Sequence, residues 1–306
     1  MEELISIVMA TYNGEKYLRT QIDSVLQQSY RCMELIIIDD ASTDLSHEVA
    51  LEFAAKDRRV KALRNLRRLG ITANFLKGIS ASQGSFICYC DQDDLWHEHK
   101  VEILAELLRQ HSRNMLVYSD AEVCDVNLKV ISQSFWKASG IRPRRGFLGE
   151  KMILRNLVPG CTMMFRRKVA NHLAKVSADS PFLHDHLAFL VGACLGRIVY
   201  TKKKLVKYRQ HRENNIGVFF RSRFDKAEYT NGLSQKIAWI ENNLSDLNIH
   251  LNNIRHFCDS LARGSLADRL PLMNYYLFLR EDRPAAQLLG CFQCLFPSVY
   301  DRLRQK

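Results

Sequence analysis

ISIVMATYNGEKYLRTQIDSVLQQSYRCMELIIIDD, residues 5–40, reads as strand, helix, strand. ISIVMA is a short, largely apolar run and reads as a strand. In the next stretch Leu18, Ile22, Val25 and Leu26 recur at helical spacing and make one apolar face. ELIIIDD (34–40) is a continuous apolar run, the pattern of a strand buried on both faces of a parallel sheet. Outward from there the alternation continues. Thr43 or Asp44 caps a helix over 45–56, VKALRN is a strand, and 72–83 is a helix broken by Gly84. SFICYCDQDD is a further buried strand, 98–110 a helix and MLVYSDAEVCD a strand. This order predicts an α/β fold with a doubly wound, mostly parallel sheet and right-handed crossovers.

Beyond residue 120 the pattern loosens. CTMMFRRKVANHLA predicts strand then helix, and DHLAFLVGACLG a helix of small and apolar residues. RIVYTKKKLVKYRQH predicts two short strands around a basic turn. Residues 219–306 read as almost wholly helical, with a boundary at 213–218.

Composition narrows the class. The chain has 306 residues, 47% hydrophobic and 25% charged, which suits a folded globular protein of about two domains or one large one. The longest uncharged apolar run, LAFLVGACLG (187–196), is half the ~20 residues a membrane span needs. The start, MEE followed by the short ISIVMA, does not read as a signal peptide. A cytosolic protein is expected, with its nine cysteines reduced. Cys291 and Cys294 form a CxxC without the second pair a zinc ribbon requires, and read as small apolar helix residues. The net charge of +11 favours an anionic partner: nucleic acid, an acidic membrane surface or a phosphorylated small molecule. Two stretches, 61–77 and 197–212, carry cations and no acid.

The acids sit where chemistry is expected. Asp39 and Asp40 end one strand, and Asp91, Asp93 and Asp94 end another. In open α/β sheets, ligands bind beyond the carboxyl ends of the strands. Three carboxylates in four residues repel one another and are reconciled by a hard divalent cation, Mg2+ or Mn2+, held with substrate phosphates. Helix capping is the alternative use of such residues.

ISIVMATYNGEKYL, LIIIDDASTD and CDQDDLW, in that order across residues 4–110, resemble the start of the family 2 glycosyltransferases with the GT-A fold. That family shows a strand ending in TYN, a second ending in DDGS, and a metal motif written D-x-D-D. HDHLAF (184–189) resembles a later acidic motif. KYRQHRENN (207–215) resembles the Y-R-x-H segment that closes the catalytic domain in the rhamnosyltransferase-like branch. The resemblance implies a catalytic domain over 1–217, with a nucleotide-sugar-binding half at 1–110 and an acceptor half at 111–217. A helical C-terminal region, 218–306, follows it.

Roles follow by position. Ala10, Thr11 and Tyr12 would pack the donor's nucleotide base, and Asp40 would accept from the pyrimidine imide. Asp91 would contact the ribose or the metal. Asp93 would ligate Mg2+ or Mn2+, with His211 as ligand or contact, and Asp185 would be the general base for transfer with inversion. Trp96, His184 and His186 are candidate acceptor contacts, and Trp96 reads equally as a packing residue at a helix start. His97 and His99 read as solvent-facing residues at that same helix start. Lys202, Lys203, Lys204, Arg209 and Arg212 would line the diphosphate or face an anionic membrane.

Three positions depart from the family pattern: Ala41 stands for the usual Gly, Glu98 for Pro and Arg68 for Asn, the last within reach of a donor phosphate. The expected partners are a nucleotide-sugar donor, dTDP-rhamnose or a UDP-sugar, and a glycan or polyprenyl-linked acceptor in O-antigen- or capsule-type polysaccharide synthesis. The expected location is cytoplasmic, peripheral at the inner face of the membrane through the basic C-terminal helices, with a homodimer as another use of that region. No nucleic-acid partner is expected, because the acid cluster repels one. The rival readings are a sugar nucleotidyltransferase and a non-catalytic glycan- or nucleotide-binding protein on the same fold.

Overall fold

The computed structural model describes residues 2–154, 156–211 and 226–247, together with 249, 251, 252, 254, 255 and 259. Its first half follows the predicted alternation: β1 (Ile5–Thr11), α1 (Glu15–Leu26), β2 (Met33–Asp39), α2 (Ser46–Lys56), β3 (Val60–Arg64), α3 (Ile71–Ala81) and β4 (Phe86–Cys90). Every residue of β2 and β4 is buried, as are all but Ala10 of β1, so these strands are covered on both faces. Leu18, Ile22 and Val25 of α1 are fully buried, the stripe their spacing implied. Helix α3 lies so close to β1 that a Cβ on Gly78 would come within 2.3 Å of Val8 Cγ1. A side chain there would force the helix off the sheet.

The sheet order β3-β2-β1-β4-β8-β6-β9-β5 explains where a ligand can sit. From β1 the chain winds outward through β2 and β3, then returns to place β4 on the other side of β1. All three pairings are parallel. The crossovers therefore diverge between β1 and β4, and a crevice opens at the carboxyl ends of those strands.

Beyond β4 the sheet departs from the predicted pattern. After β5 (Leu95–Trp96), α4 (Lys100–Arg109) and β6 (Asn114–Cys124) come β7 (Val130–Ser132) and α5 (Phe135–Ser139). They are followed by β8 (Met163–Arg166), α6 (Arg167–Leu173), α7 (His184–Leu195) and β9 (Arg197–Arg209). β8 is inserted between β4 and β6 and runs antiparallel to both. Half of the eight strand pairings are antiparallel, so the sheet is mixed rather than mostly parallel. The expected pair of short strands around a basic turn is a single strand, β9, because both of its halves pair with the long β6. The register jumps from Ser119↔Thr201 to Asp120↔Lys204. Lys202 and Lys203 are thus looped out as a bulge and stand exposed.

Strands from residues 1–110 and from residues 111–217 belong to one sheet. The 213–218 boundary lies outside the described residues, as do Arg212, Cys291 and Cys294. Of the C-terminal region, α8 (Lys226–Asn243) and a short 3-10 turn at Ser245–Leu247 are described. Among the described residues no helix is long and apolar enough to cross a membrane.

Ala41, in DDAS, has φ +58°. A side chain at this φ is strained, and glycine is not. Ala41→Gly relieves the strain at some cost in unfolded-chain entropy. The expected result is a net stabilisation of about 0.5–1 kcal/mol, read as a rise in denaturant midpoint at constant slope.

Candidate active site

A cavity of about 820 Å3 opens at the carboxyl ends of β1 and β4. Ala10, Thr11, Tyr12, Asp40, Asp91, Asp93, His184 and Asp185 all line it. Its lining is mixed: Arg68, Asn74 and Gln92 contribute to a polar part, and Phe135, Ile141, Leu157, Val158 and Leu183 are apolar.

The polar part is built by hydrogen bonds between the three strand-end loops. Gln92, the middle residue of DQDD, accepts from Thr11 Oγ1 at 2.7 Å and Tyr12 N at 2.9 Å, and donates to Tyr12 O at 3.2 Å. Asp40 is buried and accepts from Asn65 Nδ2 (2.7 Å), Leu69 N (2.8 Å) and Gly70 N (2.9 Å). Its Oδ2 carries one of these bonds, which leaves that oxygen able to accept another. Asp40 therefore holds the loop after β3 in place as well as facing the cavity. That loop sets the Arg68 guanidinium 4.0 Å from the centre of the Tyr12 ring.

The acidic motif is held from behind. Arg209 donates from its Nε to Asp93 O at 2.6 Å and from its backbone N to Asp94 Oδ1 at 3.1 Å. It is buried, and does not line the cavity as a diphosphate contact. Lys202, Lys203 and Lys204 are also absent from the lining. Asp93 Oδ2 lies 2.6 Å from His211 Nε2, so the two residues expected to share a metal do meet. Burial, together with Asp93 and Asp185, pushes the Asp91 carboxyl up to about 7. Burial and the charges of Asp93 and Asp91 likewise raise Asp94 well above the usual carboxylate range. Asp91, Asp94 and Cys161 offer ligand atoms within 4.8 Å of one another. So much uncompensated acid around a carboxylate–imidazole pair suits a hard divalent cation: the oxygen and nitrogen donors fit Mg2+ or Mn2+.

Asp185 is the second residue of α7. Burial pushes its carboxyl up to about 6, against hydrogen bonds from the backbone N–H groups of His186 and Gly160 and from the Asn156 side chain. A Cβ on Gly160 would come within 2.7 Å of His184 Nε2 and 3.3 Å of Asp185 Cβ, so glycine is what lets this backbone approach the carboxylate. His184 stacks on Phe75 at 3.8 Å, and burial holds its imidazole neutral, down at about 3.

Two expected acceptor contacts lie elsewhere. Trp96 is buried, pairs with Val206 in the sheet, and has Lys100 Nζ 2.9 Å from its ring centre. His186 is buried, with Nε2 2.5 Å from Met152 O and its ring against Phe182. Neither lines the cavity. On a helix the residue after Asp185 points about 100° away from it. His97 is partly exposed and His99 exposed, at the N-terminus of α4, as expected.

The sequence profile of Glycosyl transferase family 2 matches residues 6–173, more than half of the chain. The chain belongs to glycosyltransferase family 2.

An uncharacterized glycosyltransferase of Haemophilus influenzae is 26% identical over 220 residues, 71% of this chain and 68% of that protein. One from Nostoc sp. is 31% identical over 222 residues, 69% of this chain and 66% of that protein. The shared stretch is 64% of a Rickettsia typhi relative and 30% of a Rickettsia bellii relative, so several relatives are longer. Among solved structures, S. aureus TarS 1-349 in complex with UDP-GlcNAc superposes with TM-score 0.55 at 16% identity, over 98% of this chain and 91% of that one. The mannosyltransferase PcManGT from Pyrobaculum calidifontis, in complex with GDP-Man and Mn2+, superposes with TM-score 0.53 at 15% identity, over 97% and 88%. The fold is the mixed α/β GT-A fold. Family membership sets aside the sugar nucleotidyltransferase reading.

In this family 2 chain several residues at the site escaped sequence reasoning. Gln92 sits in the D-x-D-D variable position, yet joins two motifs 80 residues apart. Asn156, Gly160 and Cys161 precede β8, and only the insertion of β8 beside β4 brings them under Asp91 and Asp185. The one local signal was the Pro159-Gly160 pair, a turn mark in a region of loose pattern.

Proposed function

We propose that this protein transfers a sugar from a nucleoside-diphosphate donor to a hydroxyl of a glycan or lipid-linked acceptor, with inversion at the anomeric carbon. The observation that carries the reading is that Asp40, Asp91, Asp93 and Asp185 face one cavity. The nucleotide lies against Tyr12 and Asp40, where Arg68 closes over it. Asp93, His211 and Asp91 would hold Mg2+ or Mn2+, and the ion would supply charge neutralisation for the diphosphate leaving group. The acceptor hydroxyl gives its proton to Asp185 while its oxygen bonds to the anomeric carbon and the carbon–phosphate oxygen bond breaks. A carboxyl lifted to about 6 is mostly ionised near neutrality and still basic enough to take that proton.

The apolar part of the lining, with Phe135, Ile141, Leu157 and Val158, takes the acceptor. DQDDLW at 91–96 and YRQH at 208–211 favour the rhamnosyltransferase-like branch, with dTDP-rhamnose, or else a UDP-sugar, as donor, in O-antigen- or capsule-type polysaccharide synthesis at the cytoplasmic membrane. TarS binds UDP-GlcNAc and PcManGT binds GDP-Man with Mn2+, which supports a nucleotide-sugar donor and a metal without choosing among them.

A thermal-melt screen of UDP-, dTDP- and GDP-sugars with and without Mn2+ tests this. A donor at 100 times its Kd adds about 2.7 kcal/mol, several degrees in a domain of this size. One nucleotide class should shift the melt, and only with metal. No shift with any donor would sink the reading.

A further inference from the structure

The loop that Asp40 pins after β3 carries a feature unused by donor binding. Leu66 is fully exposed, at 106% of its reference area, and Leu69 is 42% exposed. The loop is nevertheless rigidly built. Asp40 accepts from Asn65 Nδ2 and from the N–H groups of Leu69 and Gly70, Asn65 bonds Asn74 Oδ1 at 2.9 Å, and Lys77 Nζ reaches Asn65 Oδ1 at 2.7 Å. The apolar tip is thus held out in water by a hydrogen-bonded framework.

Its electrical surroundings are one-sided. From residue 58 to residue 90 the chain has no acidic residue. Arg59 and Lys61 are matched by Asp57 and Glu34, and Arg64 partly by Asp39 at 3.3 Å. Arg67 is exposed beside Leu66 and pairs with no carboxylate among the described residues. Leu45, also exposed on this rim, is different: Asp44 precedes it and its backbone N–H bonds Glu15.

We propose that the tip of loop 65–69 docks on an anionic lipid bilayer, with Leu66 among the headgroups and Arg67 against lipid phosphates. A protruding leucine offers far less than the ~800 Å2 per side of a stable protein interface. A bilayer needs only a shallow apolar tip and nearby cations, each cation worth on the order of fivefold in partition. Arg68, within the loop, and Ile71, just after it, line the cavity, so this contact brings the cavity mouth to the surface where a lipid-linked acceptor resides. That purpose rests on the proposed transferase reading; the contact itself does not.

The test is co-sedimentation of the full chain, without nucleotide, with vesicles of phosphatidylcholine alone or mixed with phosphatidylglycerol. The protein should pellet with the anionic vesicles, less so as salt rises. Leu66→Ser should weaken binding on the order of tenfold and Leu66→Ser/Arg67→Glu should abolish it, both with an unchanged melting temperature because the side chains touch nothing. The fluorescence of Leu66→Trp should shift to the blue on anionic vesicles. The inference is overturned if the chain ignores anionic vesicles, or binds neutral ones equally. It is also overturned if Leu66→Ser/Arg67→Glu binds as the parent does, which would put any contact elsewhere, or if Leu66→Ser instead dissolves a dimer. Because no donor is present, a failed donor screen leaves the vesicle result standing.

Discussion

Asp185→Asn is expected to bind nucleotide-sugar as the parent does and to lose transfer by a factor of about 10^3, within the 10^2–10^4 range of a general base. Asparagine keeps the shape and its Oδ1 can still accept from His186 N, while its Nδ2 gives up part of the remaining set of bonds that Asp185 accepts, so the start of α7 keeps its main anchor. It cannot take a proton. Donor affinity by calorimetry and single-turnover transfer separate the two effects. Transfer within tenfold of the parent would move the base elsewhere, and an absence of turnover in the parent with every donor it binds would favour the non-catalytic reading. The pH dependence adds an independent sign. Burial raises the Asp185 carboxyl to about 6, and the ionised form is the active one. The transfer rate should therefore rise about tenfold per pH unit below 6 and level off above it. Asp185→Asn should show no such limb.

Asp93→Asn should remove the metal response. The carboxylate lies on the cavity, 2.6 Å from His211 Nε2, and is the charge most directly placed to bind a cation. Losing one of two or three charged ligands should weaken Mn2+ by about 100-fold or more, which erases about 2.7 kcal/mol of ligand-linked stability at fixed concentration. The metal-free protein should melt near the parent. Substitution gives up the bond to His211, but it also relieves repulsion on Asp91, which Asp93 helps to raise to about 7. Melts with and without Mn2+ and donor decide it. A variant that keeps the full metal-dependent shift would place the cation elsewhere, with Asp91, Asp94 and Cys161 the next site to examine.

Much of the site was legible because its parts are strand ends. Asp40 and Asp91 directly follow continuous apolar runs, and a parallel sheet carries all such ends to one rim. Asp93 and His211 are 118 residues apart and were paired by motif alone; in the fold their side chains touch. Of the candidate acceptor contacts, Trp96 takes the packing role that was its other reading, and His186 is likewise a core residue. Proximity in sequence to a functional acid does not set the direction of a side chain, and both turn into the core. Arg209, one of the cations offered for the diphosphate or a membrane, is buried and donates to Asp93 O and Val126 O instead.

Local periodicity by itself determined the strands and helices of residues 5–124 except the two-residue β5, which forms only by pairing with β9, because the alternation of buried runs and amphipathic faces is a property of neighbours along the chain. It also determined that acids cluster at the strand ends. Only the tertiary structure decided that β8 separates β4 from β6, that residues 197–209 form one bulged strand, and that Gly160 and Asn156 sit against Asp185. Those outcomes depend on which distant surfaces bury each other best, a choice made between segments far apart, and no local pattern records it.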